Sequence, residues 1–261
     1  AVIGFILLYS IINNPYEKND IFLSFIFSVA RLIICFIFAF LIINLLILTK
    51  FTSKQKISQS YLGPITNFLT RYGKFAVLIL LLISLYRIAD VVMGVMANIF
   101  YLEKGYKISE IATFSKFFGV FATIFGGFIG GYCSYRFGTM KALFFGALIA
   151  ALSNLLFAWL AVSPISIDFL IAVITADNIS SGFAGAAFVI YLSGLTSIKF
   201  TATQYALFSS IMLFLPKLIA GYAGSWVDVM GYAYFFSFTA FLGIPVLFLI
   251  LWIGKVAPIK N

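Results

Sequence analysis

The chain has 261 residues, of which 63% are hydrophobic and only 10% charged, and its formal net charge is +9. Soluble globular proteins are nearer half apolar and a quarter charged, so this composition excludes an ordinary soluble domain. The sequence has no histidine, which excludes histidine-based acid–base catalysis and histidine metal sites. It also lacks a nucleophile–base set, a phosphate-binding loop and a cysteine pattern typical of metal ligands. We therefore expect no enzyme, no cofactor and no bound metal.

Continuous apolar runs recur along the chain and predict an all-α membrane protein. Each run is long enough to cross roughly 30 Å of hydrocarbon as a helix. Because the runs do not alternate between apolar and polar residues, they do not resemble the strands of a membrane barrel. The predicted spans are 21–49, 75–102, 110–132, 140–162, 169–195, 203–224 and 232–253.

The N-terminal residues 1–12 are also apolar, but they are too few to cross a bilayer. The first residue is Ala1, and no basic segment typical of a signal peptide opens the chain. We interpret 1–49 as the end of a truncated span followed by one full helix of an N-terminal half. The rest divides into a basic linker at 50–74, six helices over 75–253 and a tail at 254–261.

The charges between the spans separate by side. One side carries only cations: Lys50, Lys54, Lys56, Arg71, Lys74, Arg136, Lys141, Lys199, Lys255 and Lys260. The other side carries fewer cations and most of the acids: Lys18, Lys104, Lys107, Glu17, Asp20, Glu103, Glu110, Asp168 and Asp228. The positive-inside rule places the first side, with the C-terminus, in the cytoplasm. We therefore assign the positive charge to membrane topology and expect no nucleic-acid partner.

Two segments 94 residues apart are similar, which indicates an internal repeat. "SEIATFS" at 109–115 matches "TQYALFS" at 203–209 in three identical or similar polar positions and in the Ala and Phe between them. The helices that contain them end in "GYCSYRFG" at 131–138 and "GSWVDVMG" at 224–231. The predicted topology places these two endings on opposite sides. Inverted repeats of this kind are typical of secondary transporters.

The span count, the long basic linker and the segment "GGYCSYRFGTMKAL" (130–143) resemble the C-terminal half of a major facilitator superfamily transporter. That superfamily usually has an acidic residue where this chain has Tyr135, which weakens the match to its charged cytoplasmic motif. The resemblance implies a major facilitator-like helical bundle that works by alternating access.

Three longer segments resemble the AmpG muropeptide permease family more specifically. They are "YRIADVVMGVMANIFYLEKGYKISEIATFSKFFGVFATIFGGFIGGY" (86–132), "SSGFAGAAFVIYLSGL" (180–195) and "KFTATQYALFSS" (199–210). This resemblance implies a symporter of the cell inner membrane that imports anhydromuropeptides during peptidoglycan recycling. A related family carries acetyl-CoA, so an acyl-CoA or another anionic solute stays open as a substrate. An inactive chain, or one that needs a separately encoded N-terminal half, also stays open.

Arg87 and Asp90 lie within the predicted span 75–102 and share a helix face, because they are three residues apart. A single charge at the centre of a span costs about 2.5–3.5 kcal/mol on insertion scales, so the two are expected to pair. Asn98 continues this face. The pair either fixes the rotation of the helix or belongs to a pathway for substrate and protons. Arg87 and Asn98 are therefore candidates for the substrate path and Asp90 for proton coupling.

Further candidates lie on the other spans. Asp177 has no cation nearby in sequence, so it is either a proton carrier or a neutral hydrogen-bonded acid, and Lys217 is its candidate partner. Lys217 follows Pro216, which removes a helix hydrogen bond, and it is a candidate anion-binding cation of the substrate path. Lys116 either belongs to that path or extends outward to the membrane surface. Gln204 and Tyr205 lie in the most specific of the family-like motifs, although Thr201 and Gln204 could instead form a capping box.

Small residues on two spans predict close helix packing. "GGFIGG" gives two overlapping pairs of glycines four residues apart, and "SSGFAGAA" adds a further small-residue surface. The predicted packing glycines are Gly126, Gly127, Gly130, Gly131 and Gly185.

The charge distribution makes a testable prediction for topology. With Cys35 and Cys133 replaced by Ser, the variant Val229→Cys should react with a membrane-impermeant thiol reagent on intact cells. Ser58→Cys should not react until the membrane is opened. Labelling of Ser58→Cys in intact cells would overturn the orientation.

Overall fold

The computed structural model describes residues 2–15, 21–49 and 62–256, and these residues are helical apart from short connections. They include seven helical segments long and apolar enough to cross a membrane. The predicted all-α membrane fold is therefore confirmed. By its contacts the chain divides into two compact units, 1–66 and 67–261.

The first unit contains α1 (Val2–Ile11) and α2 (Ile21–Leu48). The 10 residues of α1 are too few to span a bilayer, whereas α2 has the required length. Arg31 lies within α2, donates a hydrogen bond to the backbone oxygen of Tyr9 and stacks 3.6 Å from the centre of that ring. The guanidinium is thus held by α1 through a carbonyl and a cation–π contact.

The second unit contains a bundle of six spans. Its helices are α3 (Gly63–Tyr72, which begins before the unit boundary), α4 (Ala76–Leu85), α5 (Ile88–Lys104), α6 (Ile108–Ala112), α7 (Gly119–Phe137), α8 (Thr139–Val162), α9 (Ile167–Leu195), α10 (Thr201–Ala220) and α11 (Ala223–Val256). The first span combines α3, α4 and α5 (Gly63–Lys104), and the second combines α6 and α7 (Ile108–Phe137). A π-helical turn at Thr113–Phe118 joins α6 to α7.

Several boundaries differ from those expected. Residues 63–72 of the predicted linker are helical as α3, whereas residues 50–61 lie outside the described part. The expected connection at 225–231 is also helical except at Gly231, where the helix bends. The helix α11 continues to Val256, past the predicted start of the tail. An apolar run marks where a chain can enter hydrocarbon, but its polar flanks can continue the same helix outside it.

The two helix endings of the predicted repeat have the same backbone conformation. Gly138 has φ 91° and ψ 148°, and Gly231 has φ 75° and ψ 164°. This region is almost restricted to glycine, because a side chain would clash with the backbone. From its first matching residue to its final glycine, the first member of the repeat (109–138) is one residue longer than the second (203–231). The first member also contains the π turn, whose hydrogen bonds enclose one more residue than those of an α turn. Both observations support the repeat.

Helices α7 and α9 pack with almost no side chain between them. A methyl group added at Gly126 would lie 2.9 Å from the Ile179 Cα, and one at Gly130 would lie 2.9 Å from the Phe183 Cα. Of the other predicted packing glycines, Gly127 makes only a distant contact, and Gly131 has nothing within 4 Å. Of the two predicted glycine pairs, the pair Gly126 and Gly130 therefore makes the close contact with α9, and the pair Gly127 and Gly131 does not.

This difference between neighbouring glycines gives a matched test. Gly126→Ala should destabilise the protein by about 1–3 kcal/mol, because the new methyl group would overlap the backbone of α9. Gly131→Ala changes helix propensity equally but meets open space. Thermal unfolding in one detergent should give a lower midpoint for Gly126→Ala only. Equal midpoints would show that the α7–α9 contact is looser than described.

Candidate functional site

The span formed by α4 and α5 is interrupted at its centre. Tyr86 keeps helical dihedral angles, but Arg87 has φ −97° and ψ 10° and forms the N-cap of α5. The Tyr86 ring stacks on Phe188 with 4.4 Å between ring centres, and its hydroxyl donates to the backbone oxygen of Leu143 at 3.2 Å. These contacts hold the broken turn firmly between α8 and α9.

Arg87 and Asp90 form an ion pair across the first turn of α5. The Arg87 side chain is 23% exposed and that of Asp90 is 10% exposed, so the pair is only partly hydrated. An acid in the first turn also stabilises the free N–H groups of a helix start. The predicted pairing is therefore present, and the interrupted helix adds a second stabilising partner for Asp90 that the spacing did not indicate.

The guanidinium of Arg87 also contacts α9. Its Nη2 lies 3.3 Å from the hydroxyl of Ser181, and a methyl group at Gly185 would lie 3.5 Å from Nη1. The Nε–H of Arg87 is buried and has no hydrogen-bond acceptor. A buried charged donor without an acceptor is unusual in a folded protein. This N–H is consequently available for an acceptor that is not part of the described chain.

Asp177 belongs to the same electrostatic neighbourhood, because Asp90 and Arg87 are the charged groups that act on it. Its carboxylate accepts a hydrogen bond from Ser153 at 3.4 Å, and Ser180 donates to Ser153 at 3.1 Å. The two serines connect α8 to α9. Asp177 thus has hydrogen-bond support but no ion-pair partner within 4 Å among the described side chains, and it lies near enough to Asp90 and Arg87 to be affected by both charges.

The space around this group of charges is small. A cavity of about 10 Å³ is lined by Arg87, Asp90 and small residues of α8, α9 and α11. That volume accommodates about one water molecule. A solute the size of a glycopeptide cannot enter it in this conformation. It would have to meet Arg87 from the exposed side or after the helices move.

Lys217 lies elsewhere and is not the partner of Asp177. The one ion pair within 4 Å among the described side chains is Arg87–Asp90. Helix α10 packs mainly against α4 and α5 and barely touches α9, which separates the two residues. Lys217 lies in the last turn of α10, closer to the helix end than its place in the predicted span 203–224 suggests.

Lys217 nevertheless belongs to an exposed polar face of α10. Thr203, Ser210 and Gly221 share this face and are exposed with it. A lysine on a membrane helix is costly against lipid, so such a face is expected to meet other protein, water or the membrane surface. Asn98 of α5 is also exposed, whereas the side chain of Lys116 lies outside the described part of the chain.

Gln204 and Tyr205 have surroundings that favour packing over contact with solute. Gln204 is fully buried at the start of α10, where it accepts from the Ser197 N–H at 2.7 Å and donates to Asn67 at 3.3 Å. It does not form the capping box that its spacing suggested, because it bonds to the preceding loop instead. Tyr205 is partly buried and packs against the core.

Sequence reasoning missed the serine and asparagine residues that support the charges. Ser153 and Ser180 connect to Asp177, while Asn154 donates to the Ala89 backbone oxygen at 3.3 Å and to Thr239 at 3.2 Å. The signal was present as polar residues within apolar spans. Their partners are on other helices, however, and nothing in the sequence gives those contacts. Among the described residues no cluster of three metal-binding side chains is present.

The ion pair predicts an unusual order of stabilities. Arg87→Ala should reduce membrane abundance more than the double variant Arg87→Ala/Asp90→Ala, because the single change leaves Asp90 beside Asp177 without a cation. Immunoblots of membranes at matched expression would measure this. If the double variant is the less abundant of the two, the cation is not needed to compensate Asp90.

Comparison with known proteins identifies relatives along most of the chain. No protein-family model matches it. A protein of Rickettsia felis named "Putative transporter AmpG 4" is 34% identical over 254 residues, which is 97% of this chain and 60% of that protein. The Rickettsia conorii protein of the same name is 35% identical over 81% of this chain and 49% of its own length. A Rickettsia bellii protein named "Putative transporter AmpG 1" is 34% identical over 72% of this chain and 46% of its own length.

This chain therefore spans about half to three fifths of these relatives, and the region of the three family-like motifs lies within the similarity. Both the membrane-spanning helices of the chain and the names of its relatives agree with the resemblance to AmpG permeases that the motifs indicate. Over most of its own length the chain is therefore similar to proteins named as AmpG transporters.

Proposed function

We propose that this chain forms part of a membrane transporter that imports anhydromuropeptides, or closely similar anionic glycopeptides, by alternating access driven by protons. The names of the relatives support transport. The observation that carries the proposal is the group Arg87, Asp90 and Asp177, gathered at an interrupted helix within the bundle. Interrupted helices at mid-membrane are typical of binding sites in secondary transporters.

Proton coupling is assigned to Asp90 and Asp177. The neighbourhood contains two carboxylates and one guanidinium, so its charges are −2 and +1 when both acids are ionised. Taking up one proton would balance the group. The protonated and unprotonated forms of this group would then prefer different arrangements of α5, α8 and α9, and proton coupling requires such a preference. The hydrogen bond from Ser153 stays available to either form of Asp177.

Solute binding is assigned to cations that are partly or fully exposed. Arg87 is partly exposed, and its buried, unpaired Nε–H would become available to a solute only after the helices move. Lys217 offers an exposed ammonium on the polar face of α10. The peptide carboxylates of an anhydromuropeptide would complement both. Asn98 is included as an exposed polar residue of α5, and Lys116 stays a candidate from its sequence position alone.

The proposed location is the inner membrane of the cell, with the C-terminus in the cytoplasm. The partners are the lipid bilayer and the solute. A major facilitator needs two halves around a central site, so a second half, in the same or in a separate polypeptide, would complete it. The alternatives are another anionic solute such as an acyl-CoA, and a chain that does not transport.

Lys217 provides a test of anion binding in the gene product that carries this chain. Lys217→Gln should reduce uptake of labelled anhydromuropeptide about tenfold or more, the scale of one lost charge-assisted hydrogen bond. Lys217→Arg should retain part of it, since the charge remains but its shape changes. Lys255→Gln, in the last turn of α11, is the matched control and should retain full uptake.

The outcomes separate the alternatives. Full uptake by Lys217→Gln at matched abundance would remove Lys217 from the solute path. Uptake of an acyl-CoA but not of the glycopeptide by the unaltered protein would change the substrate. If the unaltered protein takes up neither solute, the alternative that this chain does not transport is favoured.

A further inference from the structure

A second polar site lies at one end of the bundle, in a cavity separate from that of the charged group. An open cavity of about 450 Å³ is lined by Asn67, Thr70, Arg71, Thr196, Ser197 and Ile198. It lies between the end of α3 and the loop that connects α9 to α10. The charged group at Arg87 lines a different cavity, so the two sites are distinct.

The position of this cavity corresponds to the membrane surface. The span that includes α3 has 42 residues, from Gly63 to Lys104, about twice the number that a helix needs to cross the hydrocarbon. Residues 76–104 alone are enough to cross. The α3 end of the span is therefore outside the hydrocarbon or at its edge. The loop at 196–197 lies between two spans and reaches the same level.

The cavity has the chemistry of a phosphate site. Arg71 uses one N–H on the Thr196 backbone oxygen at 3.1 Å and has five N–H donors in all. The hydroxyl of Ser197 is buried and has no hydrogen-bond partner. None of the lining side chains is acidic, and the sequence has no Asp or Glu at 62–89 or 178–227. Lys74 and Lys199 add positive charge within a few residues of the lining.

The rigidity of the loop also suits a binding site. Buried Gln204 accepts the Ser197 N–H and bonds to Asn67, so the two walls of the cavity are connected by one side chain. Tyr72 adds a bond from its hydroxyl to the Leu195 backbone oxygen at 3.4 Å. Beside the polar lining, Ile198 is fully exposed. Lipid chains or the glycerol region would cover such an apolar side chain at a membrane surface.

We propose that this cavity binds the phosphate of an anionic phospholipid headgroup, with Arg71 and the Ser197 hydroxyl as its donors and Ile198 against the lipid body. Basic pockets between helices at the membrane surface are known to bind such headgroups. The site is independent of the solute and proton path proposed above.

The test is thermal unfolding of the purified protein in a neutral detergent with added short-chain lipid. Phosphatidylglycerol should raise the unfolding midpoint in a saturable way, whereas phosphatidylcholine and inorganic phosphate at the same concentrations should have little effect. Arg71→Gln should raise the half-saturating concentration of phosphatidylglycerol about tenfold, because the loss of one charge-assisted hydrogen bond weakens binding on this scale. Ser197→Ala should also raise the half-saturating concentration of phosphatidylglycerol, while the unfolding midpoint without lipid stays nearly unchanged.

Lys141→Gln is the matched control, because Lys141 is an exposed cation at the start of α8 that does not line the cavity. It should retain the response of the unaltered protein. An equal loss in Lys141→Gln would reduce the effect to general charge and overturn the site. An equal response to inorganic phosphate would overturn the lipid as its source, and an unchanged response in both Arg71→Gln and Ser197→Ala would overturn the assigned donors.

Discussion

Burial of charge in a low-dielectric bundle is the constraint on which the rest of this structure depends. Arg87, Asp90 and Asp177 would each be costly within hydrocarbon, and they are tolerated because Arg87 pairs with Asp90 and lies near Asp177. This arrangement of charges has two conditions. The span must be interrupted so that a new helix, α5, begins after Arg87, and α9 must present small or polar residues to α5. Ser181 and Gly185 meet the second condition, because the Ser181 hydroxyl lies 3.3 Å from the guanidinium and Gly185 leaves room for it.

The same requirement explains how closely α7, α8 and α9 pack. Glycines on α7 let its backbone approach that of α9, and Gly146 on α8 lets the Tyr86 hydroxyl and Ala184 approach it closely. Close backbones leave little room for water, which the cavity of about 10 Å³ reflects. Excluded water strengthens every charge interaction within the group. Packing and electrostatics are thus two aspects of one arrangement.

Much of the fold could be predicted from the sequence, because long apolar runs have only one stable arrangement in a bilayer. The pairing of Arg87 with Asp90 also followed from spacing alone, since both lie on one helix. The partner of Asp177 did not follow. It depends on which helices are neighbours, and α10 lies against α4 and α5 rather than against α9. The role of Gln204 was missed for a similar reason, since its partners Asn67 and Ser197 come from other segments.

The central claim is that the shared charge of Asp90 and Asp177 changes by one proton during transport. The most direct measurement is solute-induced proton movement in proteoliposomes that contain the gene product carrying this chain. Asp177→Asn should abolish this movement and driven accumulation while leaving exchange of labelled for unlabelled solute across the membrane. Proton movement at the ratio of the unaltered protein in Asp177→Asn, and likewise in Asp90→Asn, would contradict the account.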